Sequence, residues 1–306
     1  MGTTYTVKAI QVPAEVDDSD LQPAVEQILE EINRQMSTYD RHSELSRFND
    51  NQTTDWVTVS PALLTVIEEA LRVSGLTGGA FDVTVGPLVN LWGFGPTMTE
   101  DDIPADEEIT SARARVGYRH VHTQHSPSAL KKDRADIAID LSAIAKGYAV
   151  DQVAKYLESL AIANYLVEIG GELKAKGRNP QDQAWTIAIE EPAPGKRAIK
   201  RVIQITDRGL ATSGDYRNFF EKDGRRYSHA MDPRTGRPVQ HRLASVTVVS
   251  ETAMQADAMA TALLVLGPEA GYALAQQEEL AAFFIVINDD GFAEKSTPEF
   301  KHYFLQ

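Results

Sequence analysis

Two periodicities alternate along the chain. Apolar residues at Leu21, Val25, Ile28, Leu29, Ile32 and Met36 recur at helical spacing, which predicts an amphipathic helix over 21–36. Positions 60–76 repeat the pattern, with Ser60 as N-cap, Pro61 as first residue, and Leu64, Ile67 and Leu71 on one face. Further helices are expected at 109–116, 145–160, 254–266 and 268–277, the last two separated by Gly267-Pro268. Short alternating or continuous apolar runs predict strands at 4–12, 164–169, 172–177, 184–189, 202–205, 210–213, 227–231, 243–249 and a central strand at 281–288. The segment 300–304 reads as a closing edge. A hairpin is expected with its turn near 131–134 and its returning strand at 135–141. The stretch 190–200, EEPAPGKRAIK, reads as an exposed loop between halves of the chain, or as a hairpin loop.

The stretches that fit neither period carry the chemistry. Positions 36–50, MSTYDRHSELSRFND, are too polar for core; they read as a surface loop with capping residues or as a substrate-facing loop offering Tyr39. Positions 77–96 combine glycines with Phe81, Trp92 and Phe94, which suits close approach to a flat ring or a plain aromatic cluster. Asp82, an acid within an apolar run, requires a partner. The strand-to-helix turn at 140–144 leaves backbone groups free for an anion or metal, and is flanked by Asp140 and Lys146. Thr212, Ser213 and Gly214 suit phosphate hydrogen bonding or a turn. His120, His122 and His125 resemble a metal cluster at first sight, but no acid stands near them in the sequence, so an exposed edge is expected.

Asp257 and Thr261 stand at i and i+4 on the 254–266 helix, so one carboxylate and one hydroxyl share a face one turn apart. Such a pair suits a hard cation such as Mg²⁺, which takes oxygen ligands and keeps room for phosphates.

Composition narrows the classes. The 306 residues are enough for one large domain or two small ones. A formal net charge of −14 argues against nucleic acid as a partner and requires local cations around any anionic substrate. With no cysteine there is no disulfide, thiolate nucleophile or zinc–thiolate site. No stretch reads as long and apolar enough to span a membrane. No serine–histidine–acid triad, GxGxxG or P-loop stands out. The residues alone reach as far as a Mg²⁺-dependent enzyme acting on an aromatic-ring nucleotide.

Eight motifs in order carry a closer resemblance: MGTTYTVK, MSTYDRHSELSRFN, GAFDVTVGPLVNLWGFGP, DLSAIAKGYAVD, VEIGGELKAKG, ATSGDYRNFF, SHAMDPRTGRPV and ADAMATALLVLGPE. The chain resembles the ApbE family of flavin transferases across nearly its whole length. That resemblance implies an α+β fold of mixed, mostly antiparallel sheets with packed helices. It implies a single 1–306 domain whose two lobes form one catalytic unit around the flavin. It implies Mg²⁺-dependent transfer of FMN from FAD to a threonine or serine hydroxyl of a target flavoprotein, through a phosphoester, with release of AMP. Acceptors of the Rnf or Nqr type, with FMN-binding domains, are expected.

Residue by residue, the resemblance implies FAD contacts from Met1, Tyr39, Ala80, Phe81, Asp82, Asp140, Lys146 and Met231. It implies Mg²⁺ ligation by the Ala143 carbonyl and the Asp257 and Thr261 side chains. Some relatives carry a further acid at the position of Ala260, where water would serve here. His229, in SHAMDPRTG, is the expected base for the acceptor hydroxyl; a role fixing the Asp232 turn stays open. So do two other activities: hydrolysis of FAD to FMN and AMP, and FAD binding without catalysis. Family members are typically exported, so a periplasmic, inner-membrane lipoprotein is expected, its signal and anchor preceding Met1.

Overall fold

A computed structural model describes residues 2–95, 103–192, 198–215, 219–222, 224–289 and 291–305. In chain order the elements begin with β1 (Tyr5–Ile10), α1 (Asp18–Met36), α2 (Glu44–Asp50), β2 (Val57–Thr58), α3 (Pro61–Leu76), α4 (Gly86–Leu91) and α5 (Asp106–Arg113). There follow β3 (Val121–His125), β4 (Ser128–Lys132), α6 (Ala145–Ser159), β5 (Asn164–Ile169), β6 (Glu172–Lys176), β7 (Trp185–Glu190), β8 (Ile199–Ile205) and β9 (Arg208–Gly214). The chain continues through β10 (Phe219–Lys222), β11 (Arg225–Ser228), β12 (Met231–Asp232), β13 (Arg237–Pro238), β14 (Leu243–Ser250), α7 (Ala253–Gln277), β15 (Ala281–Asn288) and β16 (Gly291–Ser296). The α+β class expected from the motifs is what the chain adopts.

The chain divides into two compact units, one of Met1–Glu31, Ile144–Arg217 and Arg242–Gln306, the other of Ile32–Ala143 and Asn218–His241. The first holds a seven-stranded sheet in the order β1-β5-β6-β9-β14-β15-β16, with every pairing antiparallel. Strand alternation sorts its side chains. Leu166, Leu173, Leu210, Val249, Phe283 and Ile285 face Trp185, Ile189, Ile203 and Ile205 of the β7–β8 hairpin. The other face meets α6 and α7. Covered on both sides, β14 is buried at seven successive positions, which is why it reads as a continuous apolar run.

In the second unit β2, β4 and β3 form a small sheet against α3. Leu88, Trp92, Ile109, Phe220, Tyr227 and Met231 build a separate core. The fully buried Lys132 donates to the carbonyls of Phe48, Asn49 and Ile137 at 3.3, 3.0 and 3.2 Å. It thereby ties the C-terminus of α2, a favourable place for a cation, to the irregular segment at Ile137.

Several sequence expectations are corrected. Part of 36–50 is helical: Ser43 caps α2 by accepting from Ser46 N–H at 2.9 Å, and Leu45 and Phe48 are buried beneath it. The 120–132 hairpin turns at Ser126-Pro127, between β3 and β4, so 131–134 is not its turn and 135–141 is not a strand. Of the two readings of 190–200, the hairpin one holds, since β7 and β8 pair on either side of it, while the reading as a link between halves does not, because the unit boundaries fall elsewhere. The 227–231 run is interrupted at His229 and Ala230. The 281–288 strand lies one place in from the edge, because β16 pairs outside it, and Phe300–Tyr303 turns as a 3₁₀ segment before Phe304 alone bridges Ile203 as an edge. Helix α7 is, by length and composition alone, able to cross a membrane, which the sequence reading missed. It is a mostly buried core helix, and Gly267 at φ 85° breaks its regular geometry where the Gly-Pro pair was expected to.

Candidate active site

Four elements of the first unit bring polar groups to the helical face of the seven-stranded sheet. Alternation on β6 turns Leu173 and Ala175 toward the hairpin core, so Glu172 and Lys174 point toward α6. Lys174 Nζ lies 3.3 Å from Asp151 and Lys146 Nζ 3.3 Å from Glu172. Ser213 on β9 likewise faces α7, where its hydroxyl shares a 3.0 Å hydrogen bond with Thr261 Oγ1. One turn earlier on α7, Asp257 is 2 % exposed. Its Oδ2 accepts from Gly147 N–H at 3.0 Å, and its Oδ1 lies 3.8 Å from Lys146 Nζ.

The approach of α6 to α7 is set by a missing side chain. A Cβ on Gly147 would stand 2.3 Å from the Ala253 carbonyl oxygen, so only glycine lets the two helices meet there. Asp151, one turn further along α6, accepts from Ala253 N–H and Met254 N–H at 3.0 and 2.9 Å. With Thr252 accepting from Gln255 N–H at 3.1 Å, these groups satisfy the first amides of α7 and place a carboxylate at its positive end. Thus α7 is held in register against α6, and Asp257 is delivered to the first turn of α6.

Electrostatics follow from the burial. Burial raises the Asp257 carboxyl above the usual range, opposed by Lys146 and the Gly147 amide. Burial, then the neighbouring Asp257, pushes Glu172 up to about 8 against the pull of Lys146. Burial disfavours the Lys146 ammonium, but Asp257 and Glu172 outweigh it and its affinity for the proton rises. Two carboxylates thus share one ammonium, and among the described residues Glu172 Oε2 meets no hydrogen-bond partner. The cluster has room for more positive charge. Among those residues no group of three acids or histidines is arranged for a metal. The donor set of one carboxylate with neighbouring hydroxyls therefore fits a hard cation that keeps several waters, rather than zinc.

A model of the ApbE family matches residues 1–284. The chain belongs to the ApbE family. A Vibrio cholerae serotype O1 protein named FAD:protein FMN transferase is 50% identical over 303 residues, covering 99% of this chain and 90% of that protein. The solved flavin transferase ApbE from Vibrio cholerae superposes with a TM-score of 0.92 at 49% identity, covering 99% of this chain and 96% of that one. The apo flavinyl transferase ApbE from Pseudomonas stutzeri gives 0.91 at 43% identity, covering 99% and 94%.

Of the residues that the ApbE resemblance singled out, Lys146, Asp257 and Thr261 lie in the first unit, and the first two meet directly. Met1 lies outside the described residues. Tyr39, Ala80, Phe81, Asp82, Asp140, Ala143, His229 and Met231 belong to the second unit. There, Tyr39 is 72 % exposed, on a turn whose Ser37 carbonyl accepts from Ser43 and Ser46 hydroxyls at 2.6 and 3.1 Å. Ala80 and Phe81 are buried. The partner that Asp82 needs is local: Oδ1 accepts from Thr84 N–H and Oγ1–H at 2.8 and 2.6 Å, and Oδ2 from Tyr118 N–H at 2.9 Å. Burial still raises its carboxyl above the usual range.

Asp140 closes its turn by accepting from Ser142 N–H at 2.7 Å, while its own N–H donates to the Val83 carbonyl at 2.6 Å. This ties the 140–144 turn to the 80–84 loop. Met231 packs in the aromatic core. His229, half-buried, meets Phe94 edge-on with ring centroids 6.4 Å apart, and Phe94 stacks in turn on Phe220. His120 and His122 do have an acid beside them: Asp133 lies 3.4 and 2.7 Å away. Both histidines share Asp133 as a hydrogen-bond partner at the surface, and the first histidine sits in the turn before β3 rather than on it.

Sequence reasoning missed Glu172, Asp151 and Lys132. Glu172 reads as one polar position of an alternating strand. Only the β5–β6–β9 register places it opposite Lys146.

Proposed function

We infer that this protein transfers FMN from FAD to a hydroxyl side chain of an acceptor flavoprotein. The observation that carries the reading is the buried Lys146–Glu172–Asp257 cluster beside the Ser213–Thr261 hydroxyl pair, in a chain of the ApbE family over most of its length. The acceptor threonine or serine oxygen attacks the FMN phosphorus, a P–O bond to it forms, and the P–O bond to AMP breaks. The hydroxyl proton passes to the His229 imidazole, whose ring is set edge-on against Phe94. Asp257, Thr261 and the Ala143 carbonyl are the proposed holders of Mg²⁺, which when bound offsets charge on the pyrophosphate oxygens. Lys146 adds a second positive charge for the same anion. Tyr39 offers an exposed flat surface for the flavin ring, the 80–82 loop is proposed to contact the flavin through its backbone, and Asp140 holds the adjoining turn.

Acceptors with Rnf- or Nqr-type FMN-binding domains, and a periplasmic site of action on the inner membrane, follow from the family resemblance. Incubation with FAD, Mg²⁺ and such a domain tests the reading. Covalent flavin on the acceptor supports transfer. Free FMN and AMP without modified acceptor indicates a hydrolase, and intact FAD indicates a binding protein; either result overturns it.

A further inference from the structure

Glu172 has no part in the expected ligand set, yet it is the nearer partner of Lys146: Nζ lies 3.3 Å from Glu172 Oε1 and 3.8 Å from Asp257 Oδ1. We propose that Glu172 is a positioning residue for the cation site, drawing the Lys146 ammonium away from Asp257 so that a divalent cation can take the carboxylate. The inference rests on Asp257 being a cation ligand.

Two features of the cluster support the exchange. Asp257 Oδ2 already accepts from the Gly147 amide, and Oδ1 is the oxygen that faces Lys146, so a metal bound there competes with the ammonium. Glu172 is buried and its Oε2 lacks a hydrogen-bond partner among the described residues. A buried carboxylate oxygen in that state is costly, and a fully transferred ammonium would satisfy it. With a cation on Asp257, repulsion and the open Oε2 both move Nζ toward Glu172. Without Glu172, the ammonium stays beside Asp257 Oδ1 and competes with the cation for it.

The test is Mg²⁺ titration of the FAD-free full chain by calorimetry at about pH 9, where Glu172 is ionised. The proteins are wild type, Glu172→Gln, Lys146→Met and the double variant, each checked for folding by circular dichroism. Glu172→Gln is expected to weaken Mg²⁺ binding roughly tenfold or more. The same substitution in the Lys146→Met background is expected to change it less than about twofold, because the competitor is gone. Glu172→Asp, which keeps the charge, should recover most of the lost affinity. Equal weakening in both backgrounds, no weakening in the first, or no recovery with aspartate overturns the proposal. Wild-type Mg²⁺ affinity in Asp257→Ala would instead overturn the ligand assignment on which it rests.

Discussion

Asp257 accepts a hydrogen bond from the backbone N–H of Gly147 at 3.0 Å, between residues 110 positions apart. The contact joins a buried carboxylate to the first turn of another helix, where partial positive charge stabilises it. It exists because α6 and α7 touch at a glycine.

Gly147→Ala is therefore expected to separate the two helices. The new Cβ would meet the Ala253 carbonyl, its carbon and Met254 Cα, all backbone atoms within 2.7 Å. Overpacking of this kind costs about 1–3 kcal/mol. Urea unfolding should show a loss in that range, and flavin transfer should fall with it; wild-type stability would contradict the packing account.

Asp151→Asn removes charge from a buried cap that serves two α7 amides and Lys174. The expected loss is about 1–3 kcal/mol, larger than for Thr252→Ala, which removes a single cap hydrogen bond. Thermal unfolding of the two variants side by side checks the order.

Lys132→Met should destabilise the second unit by about 3 kcal/mol, because three carbonyls, two of them buried, lose one shared donor. Amide hydrogen exchange is expected to quicken in α2 and around Ile137. Unchanged exchange in both places would show that the lysine is not the clamp.

The pH dependence follows from Glu172. Its folded-state value of about 8 lies above the unfolded value of about 4.3. Between these limits the folded chain holds a proton that the unfolded chain has released, so this group's contribution to stability falls as pH rises. It is fully present below the unfolded value and lost through about pH 8. The metal-free protein should lose more Tm from about pH 5 to about pH 9 than Glu172→Gln does. Parallel curves would rule out the buried acid as the cause.

What the sequence showed of the site was what depends on local periodicity. Asp257 and Thr261 are visible because i and i+4 share a helix face, and Lys146 because it opens a strongly periodic helix. Glu172 and Asp151 were hidden because their partners lie 26 and 102 residues away along the chain. Nothing in ELKAK tells which strands flank it. Helix α2 was masked by polar residues that cap and face solvent, although Leu45 and Phe48 carry its buried side. Strand β16 was missed because an edge strand with exposed Glu294 and Lys295 has no apolar run to reveal it. Asp82 stood out because it is an acid among apolar residues; the partners such an acid needs are Thr84 in its own loop and the distant Tyr118 amide, which no local pattern reveals.

Replacing the histidine tests the proton path. His229→Ala is expected to lower the transfer rate at saturating FAD by roughly 10²–10⁴-fold, with little change in FAD affinity. A matching loss of FAD affinity would assign His229 to binding instead.

The central claim is that Asp257 anchors a cation required for moving FMN from FAD to a protein. The direct measurement is covalent flavin on an FMN-binding acceptor domain, read by in-gel fluorescence and intact mass, for wild type and Asp257→Ala with Mg²⁺ or with chelator. Wild type with Mg²⁺ should add the mass of one FMN less one water to the acceptor, while chelated wild type and Asp257→Ala should add none yet still bind FAD. Mg²⁺-dependent flavinylation by Asp257→Ala at the wild-type rate would contradict the account.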